Sequence, residues 1–258
     1  MGDATVKSKI LIFSGAGLSA DSGIPTFRDK SGLWAKYDTD EVCNEFTWKQ
    51  NYAKVHEFYD LLRTKLADVE PNAMHHLLAK LQSEHNAELW TQNVDDLLDR
   101  TGATVNHVHG KLTEIICDNC FNVWDIGYTK VEHQCPECGH DKVKPNVIFF
   151  GQNAPKYFDL LDTFSNVFDD EYATIVVIGT SGQVVPFEWI IGNTQIKAFK
   201  VICDNNIRNL DSSGFDLIIG ESAVNSVDRL ELILADRINK TLTREFLEAK
   251  LLEIMSKL

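Results

Sequence analysis

The chain has 258 residues, 44% of them hydrophobic, enough to bury a sizeable core in one or two domains. Lys and Arg total 25 against 38 Asp and Glu, a net charge of −13. That balance argues against grasping nucleic acid, which needs a basic footprint. It suits either a merely solvated surface or the attraction of basic protein substrates. The first apolar run, Ile10–Phe13, is too short for a signal peptide, and no stretch of about 18 apolar residues suggests a membrane span. Four of the six cysteines fall in two CxxC pairs, which points to metal binding in a reducing compartment, so a cytoplasmic protein is expected.

Ile10–Phe13 reads as a buried strand. It leads into Gly15-Ala16-Gly17-Leu18-Ser19-Ala20, a match to G-x-G-x-x-G/A, where glycines permit a tight turn and close approach of a pyrophosphate to backbone N–H groups. Alone, such a loop is also compatible with a turn that holds no ligand. A hydride-transferring unit would continue into a long helix. Here Gly23 and Pro25 interrupt it, and Thr26-Phe27-Arg28-Asp29 follow in a polar loop, so a dinucleotide would sit in an unusual pose.

Residues 31–70 are aromatic and mostly helical by pattern. A helix is predicted over 72–82, with Ala73, Leu77, Leu78 and Leu81 on one face. Further strands are expected at Leu89–Trp90, Ile175–Ile178, Val201–Cys203 and Leu217–Ile219. The C-terminal end reads as two helices, 224–239 and 243–258. Thr243 would cap the second, and Leu247, Leu251, Met255 and Leu258 would form its apolar stripe. This alternation predicts an α/β fold: a Rossmann-like, doubly wound parallel sheet (about 1–30, 71–110 and 146–258). A smaller module would come from a helical insertion, 31–70, and a zinc-binding insertion, 111–145.

Within that second insertion, Cys117-x-x-Cys120 and Cys135-x-x-Cys138 are separated by fourteen residues, with Pro136 and Gly139 supplying turn chemistry. Four thiolates would close a tetrahedral shell around one structural zinc with no open position. Four buried free cysteines, or a zinc ribbon binding nucleic acid, are the other readings. Asp118, Asp125, Glu132, Glu137 and Asp141 argue against the latter.

At this point the chain resembles the sirtuins. Gly15 through Arg28, followed by Gly32-Leu33-Trp34, matches the family's GAG-x-S-x-x-SGIP-x-FR and GLW. Thr91-Gln92-Asn93-Val94-Asp95 matches TQN-hydrophobic-D, and His109-Gly110 matches the catalytic HG. The cysteine pairs, Phe150-Gly151, Gly179-Thr180-Ser181-Gly182 and Asn205 follow in family order, so the likeness spans about residues 9–223. What it implies is an NAD-dependent protein lysine deacylase, most simply a deacetylase, yielding nicotinamide, O-acyl-ADP-ribose and free lysine.

The resemblance implies NAD contacts at Gly15, Ala16, Gly17, Ser19, Ala20, Ile24, Phe27, Arg28, Gln92, Asn93, Asp95, Gly179, Thr180, Ser181, Asn205 and Ser222. Asn93 and Asp95 would help the nicotinamide depart as the acyl oxygen attacks the ribose, and His109 would be the general base for a ribose hydroxyl. A histidine suits that task because its ordinary pKa lies near neutrality. Val147, Phe149 and Phe150 resemble the wall of the acyl-lysine channel, with the peptide added as a strand. Zinc would be a spectator.

Each residue also has an ordinary reading: His109 as a core histidine, Asn93 and Asp95 as turn-formers or helix caps, Phe27 and Arg28 as loop packing.

Departures from the family pattern concern Gln152 in place of a glutamate, His107 in place of an acidic residue, and Phe187 in place of a small residue. Family branches that favour anionic acyl groups carry Tyr-x-x-Arg. Here Tyr59 is followed by Leu62 at the matching position, and Arg63 comes one place late, about 100° around a helix. Gly182 is a feature of that same branch, but the displaced arginine leads to the expectation of a neutral acyl group such as acetyl. Substrates would be acylated lysine proteins or peptides, without nucleic acid or membrane. Two alternatives stay open: an NAD glycohydrolase or mono-ADP-ribosyltransferase, and a non-catalytic zinc-ribbon binding module.

Overall fold

A computed structural model describes residues 9–24, 37–180, 196–206 and 214–238. Its larger sheet has six parallel strands: β1 (Ile10–Ser14), β2 (Glu88–Thr91), β3 (Val105–His107), β7 (Thr174–Ile178), β8 (Phe199–Cys203) and β9 (Leu217–Ile219). Their spatial order is β3-β2-β1-β7-β8-β9. The chain builds outward from β1 on one side and then on the other. Strand order therefore reverses between β1 and β7, and the loops after these two strands border the crevice where open α/β sheets bind ligands.

Both faces of the sheet are covered. Ile10 and Ile12 of β1 join Val176, Ile178 and Val201 in one cluster, while Leu11 and Phe13 join Ile175, Val177 and Ile202 in the other. Successive side chains of a strand point to opposite faces, so a wholly apolar run such as Ile10–Phe13 needs cover on both. The first face is covered by α4 (Ala73–His85) and α7 (Val227–Ile238), through Met74, Leu77, Leu78, Leu81, Leu230, Ile233 and Leu234. The second is covered by α6 (Lys156–Phe168), through Leu160, Phe164 and Val167. Each fully buried side chain of this size contributes about 1.5–3 kcal/mol.

The predicted helix 72–82 begins where the sequence puts it, because the Asn72 side chain accepts from Met74 N and His75 N while Asn72 N donates to His75 Nδ1. It runs three residues longer than expected and stops at Asn86, which takes the left-handed conformation at φ 55°. The predicted 224–239 helix is α7. The predicted 243–258 helix lies outside the described residues.

A second sheet is antiparallel, in order β5-β4-β6: β5 (Val123–Asp125), β4 (Gly110–Cys117) and β6 (Val143–Val147). Sequence pattern alone treats 111–145 as turn-rich and misses β4 and β5. Polar and apolar residues do not alternate cleanly along β4, where Thr113 is buried together with Leu112, Ile115 and Cys117 and the pairing with β6 shifts register between Gly110 and Ile115. Residues 37–70 contain α2 (Thr39–Val42) and α3 (Tyr52–Leu66), joined by turns, so this stretch is less helical than its pattern suggests. Val55, Phe58 and Tyr59 of α3 pack with Trp48, Val147 and Phe149 in a third cluster. The short helix α5 (Leu97–Arg100) follows β2. Among the described residues no helix is long and apolar enough to cross a membrane.

Candidate active site and metal centre

The first glycine loop and the loop after β7 touch backbone to backbone. Gly17 N donates to Gly179 O at 2.9 Å, and Gly15 N donates to Ile178 O at 2.9 Å. A Cβ on Gly17 would fall 2.5 Å from Gly179 Cα, and one on Gly179 would fall 2.5 Å from Gly17 C and Cα. Gly179 also has φ +60°, where other residues are strained. The glycines thus let two loops at the strand-order reversal meet with no side chain between them. Ala16 and Gly17 begin α1 (Gly17–Ala20), in which Leu18 and Ser19 are buried while Ala20 is exposed. Ile24 packs, half-buried, against the third cluster. Phe27, Arg28, Ser181, Gly182 and Phe187 lie outside the described residues.

Gln92, Asn93 and Asp95 leave the end of β2 and face this loop pair. Gln92 Nε2 donates to Thr180 Oγ1 at 2.9 Å, bridging to the loop after β7. Asn93 Nδ2 donates to Ser19 Oγ at 3.1 Å, and Asn93 N donates to Thr91 Oγ1 at 3.0 Å. His75 lies behind Ser19, Nε2 to Oγ at 3.5 Å, and is fully buried. Because His75 Nδ1 accepts from Asn72 N, its Nε2 carries the proton. Burial lowers the His75 pKa to about 4, with His76 adding to the effect. Sequence reasoning missed this residue, whose signal was only a histidine three positions after a helix-capping asparagine.

Burial raises the Asp95 carboxyl, while the Ser19 hydroxyl, Leu97 N–H and the charge of His107 work against the rise. Asp95 Oδ1 accepts from Leu97 N at 3.2 Å, so the ordinary role of starting a helix is also present. His107 takes a buried place under the Asn93–Asp95 turn. Its Nδ1 lies 3.0 Å from Asn93 O and its Nε2 lies 2.8 Å from Asp99 Oδ2. Burial works to raise the Asp99 carboxyl, and His107 and Lys111 overcome it, holding Asp99 below the usual range. The histidine standing where an acidic residue was expected is therefore paired with an acid from α5.

His109 sits at the junction of the two sheets, between β3 and β4. Its Nδ1 is 3.1 Å from Gln92 O and its Nε2 is 2.9 Å from Tyr157 Oη. A carbonyl oxygen only accepts, so Nδ1 carries the proton and Nε2 is the basic atom. Burial lowers the His109 pKa, partly offset by the Gln92 carbonyl, and the ring is neutral at physiological pH. Tyr157, from the first turn of α6, is a partner that sequence reasoning did not find. Next to His109, Gly110 has φ +79°, and a Cβ there would lie 1.9 Å from Asn146 O. Only glycine lets β4 leave the imidazole this close to β6.

The main chain of His109 also holds the expected acyl-lysine wall, since Ile148 N donates to His109 O at 2.9 Å. Beyond it, Phe150 N donates to Cys43 O, and Glu45 N donates to Phe150 O. Val147 and Phe149 are buried and Phe150 is half-exposed. Tyr59 stacks on Phe149 with centroids 5.7 Å apart, and its hydroxyl lies 3.2 Å from Cys43 Sγ. Leu62 packs against the same cluster. Arg63 is fully buried, and its guanidinium donates to Leu112 O at 2.8 Å and Asp60 Oδ1 at 2.6 Å. Gln152 folds back to accept from Phe149 N at 2.8 Å, which engages its side chain in its own turn. Asn205 is exposed just past β8, and Ser222 lies past β9, where Ser226 N donates to its carbonyl. Both follow carboxyl ends of strands.

The four cysteines Cys117, Cys120, Cys135 and Cys138 converge, with all four sulfurs within 4.8 Å of one another. Cys117 and Cys138 sulfurs are 3.6 Å apart, and those of Cys120 and Cys135 are 3.7 Å apart. A tetrahedral zinc with bonds of about 2.3 Å has sulfur–sulfur edges of about 3.8 Å. None of the four is in a disulfide. Spacing, donor type and edge length fit one zinc held by this chain alone. Gly139, at φ +70°, turns the second knuckle so that Gly139 N reaches Cys135 O.

Comparison with known proteins places these features in a family context. The Sir2 family model matches residues 15–186. A Helicobacter hepaticus protein named "NAD-dependent protein deacylase" is 42% identical over 248 residues, covering 86% of this chain and 96% of the relative. A Campylobacter jejuni protein of the same name is 37% identical, covering 86% and 94%. Among solved structures, a mutant Sir2 homologue in complex with ADP-ribose superposes with a TM-score of 0.76 at 28% identity, covering 91% of this chain and 95% of that one. A Sir2 homologue–NAD complex superposes at 0.73 and 28%, covering 89% and 90%.

Proposed function

The chain belongs to the Sir2 family, and from that premise we propose that it removes acyl groups from protein lysine side chains while consuming NAD. The observation that carries this reading is the joint placement of three parts. The glycine loops meet at the strand-order reversal, the neutral His109 stands beside Gln92, and the apolar run Val147–Phe150 at the end of β6 is bonded through Ile148 N to the His109 carbonyl. NAD supplies an electrophilic ribose carbon, loses nicotinamide and carries the acyl group away as O-acyl-ADP-ribose, leaving free lysine.

This chain's residues then divide the work. Gly15, Ala16, Gly17, Gly179 and Thr180 bring backbone close to the pyrophosphate, a role that the resemblance extends to Ser181 outside the described residues, and Asn205 and Ser222 serve the adenosine half. Ser19, Ala20 and Ile24 serve the nicotinamide end, a role that the family resemblance extends to Phe27 and Arg28, which lie outside the described residues. Asn93 and Asp95 hold the carboxamide, and the Ser19–His75 pair behind them fixes the Asn93 amide. Val147, Phe149 and Phe150 wall off water from the lysine stem. His109 accepts the ribose hydroxyl proton at Nε2. Zinc on the four cysteines ties the end of β4 and takes no part in the chemistry.

The acyl group is neutral. The Tyr59 hydroxyl is engaged with Cys43, and Asp60 already balances the Arg63 charge at 2.6 Å, leaving only its Nη2 unbonded, so an anionic acyl group would compete with Asp60 for its one cation.

The test is mass spectrometry on a panel of acylated lysine peptides incubated with and without NAD. Nicotinamide release should require acylated peptide, and O-acyl-ADP-ribose should appear in step with it. Release independent of peptide would make the chain an NAD glycohydrolase instead. His109→Ala should keep its fold and metal while product formation falls about 10²–10⁴-fold. Near-normal turnover in that variant would remove the imidazole from the mechanism.

A further inference from the structure

His109 has one basic atom, and that atom is already occupied. Nδ1 is committed as a donor to Gln92 O at 3.1 Å, so Nε2 must take any proton, and the hydroxyl of Tyr157 lies 2.9 Å from it. A neutral Nε2 has a single lone pair, and the tyrosine O–H points into it. A substrate hydroxyl can reach this base in only two ways, by displacing Tyr157 or by passing its proton through the Tyr157 oxygen.

Displacement is disfavoured by how the tyrosine is anchored. Tyr157 N donates to Ala154 O at 3.0 Å at the start of α6. Its half-buried side chain packs against the cluster under the sheet that contains Phe13 and Phe164. The two rings lie 5.7 Å apart at 47°, an arrangement in which the hydroxyl bridges outward from the imidazole edge.

We propose that Tyr157 is a catalytic residue, the carrier through which the substrate hydroxyl proton reaches His109 Nε2. This rests on the deacylase reading above. The substrate O–H bond breaks and its proton goes to Tyr157 Oη, as the Tyr157 O–H bond breaks and its proton goes to Nε2. The electron pair left on the substrate oxygen forms the new bond to the acyl carbon, whose carbon–nitrogen π bond breaks, the pair moving onto the lysine nitrogen and cancelling the positive charge gained when the acyl oxygen displaced nicotinamide. Tyr157 ends neutral, and His109 ends as an imidazolium whose Nδ1–H still rests on the Gln92 carbonyl. Burial pushes the Tyr157 phenol up to about 12, so it keeps its proton between turnovers and functions as a carrier rather than as the base.

The experiment uses Tyr157→Phe, which keeps the ring and removes only the oxygen. Two rates are read with acylated peptide and NAD: exchange of labelled nicotinamide, which precedes the proton step, and formation of O-acyl-ADP-ribose, which follows it. Exchange should be retained while product formation falls about 100-fold, the lower end of what acid–base groups supply. A proton inventory in mixed H₂O and D₂O should be curved for the parent enzyme, two protons moving together, and linear for the variant. A merely structural loss would lower both rates alike and leave the inventory unchanged in form. Product formation that is unchanged or faster in Tyr157→Phe, with exchange intact, overturns the relay and leaves the deacylase reading standing. Absence of peptide-dependent exchange in the parent enzyme overturns both.

Discussion

Replacing Gly179 by alanine isolates the contact on which the nucleotide crevice is built. Two penalties act at this position. An L-residue at φ +60° costs roughly 1–2 kcal/mol. The new Cβ would also stand 2.5 Å from Gly17 C and Cα, where backbone rather than a flexible side chain must yield, and such overpacking costs about 1–3 kcal/mol. Together they amount to about 2–5 kcal/mol, a fall in Tm of roughly 5–15 °C for a chain of this size. Gly102→Ala is the internal control. Gly102 has φ +85° but nothing within 4 Å of its Cβ position, so it carries only the strain, about 1–2 kcal/mol. Thermal unfolding of both variants measures the difference, and calorimetric titration with NAD measures its functional consequence. Pushing the two loops apart pulls on the Gln92–Thr180 bond and so on the carbonyl that orients His109, and NAD should bind at least about tenfold more weakly to Gly179→Ala alone. Equal melting temperatures and equal NAD affinities for the two variants would refute the idea that loop-to-loop contact, rather than local strain, makes these glycines necessary.

Two other expectations concern the smaller sheet. Lys144 is buried below Phe149, its Nζ 4.2 Å from the ring centroid and 2.8 Å from Val147 O, and burial lowers its pKa to about 8. The unfolded chain binds the proton more tightly, so stability rises as pH climbs from about 8 to about 10.5. The charged form costs about 3 kcal/mol at neutral pH. Lys144→Met should therefore be more stable than the parent at pH 7 and lose that advantage by pH 10 in urea titrations, and an advantage independent of pH would contradict this assignment. Metal analysis should find one zinc per chain, reduced in Cys135→Ser. Chelation should shift the emission of Trp124, which packs against the cluster that contains Cys117 and Cys135. Four thiols that all react freely in the untreated protein would argue against a bound metal.

Legibility in the sequence followed burial. The runs at Ile10–Phe13 and Ile175–Ile178 were readable as central strands because both faces are covered and no polar residue interrupts them. Strand β3, Val-Asn-His, was not, since it is a three-residue edge strand whose His107 serves the turn beside it. The cysteine quartet was legible from spacing, because ligand geometry dictates it locally. The partners of His109 were not. Tyr157 is 48 positions away, and its approach depends on how α6 docks on the sheet. Likewise Arg63 could be seen as out of register with Tyr59, but only packing shows the guanidinium held by Leu112 and Asp60.

The central position of β1 has a consequence for biogenesis. Ile10 pairs with Thr174 on one side, and Leu11 pairs with Glu88 on the other. A ribosome adding roughly 5–20 residues per second takes about 8–30 s to travel from Ile10 to Thr174. Throughout that interval the nascent Ile-Leu-Ile-Phe-Ser segment lacks its β7 neighbour and offers an open apolar edge to any similar strand nearby. No stalled or cleaved fragment ending before residue 174 can assemble the crevice, however complete its glycine loop and imidazole are.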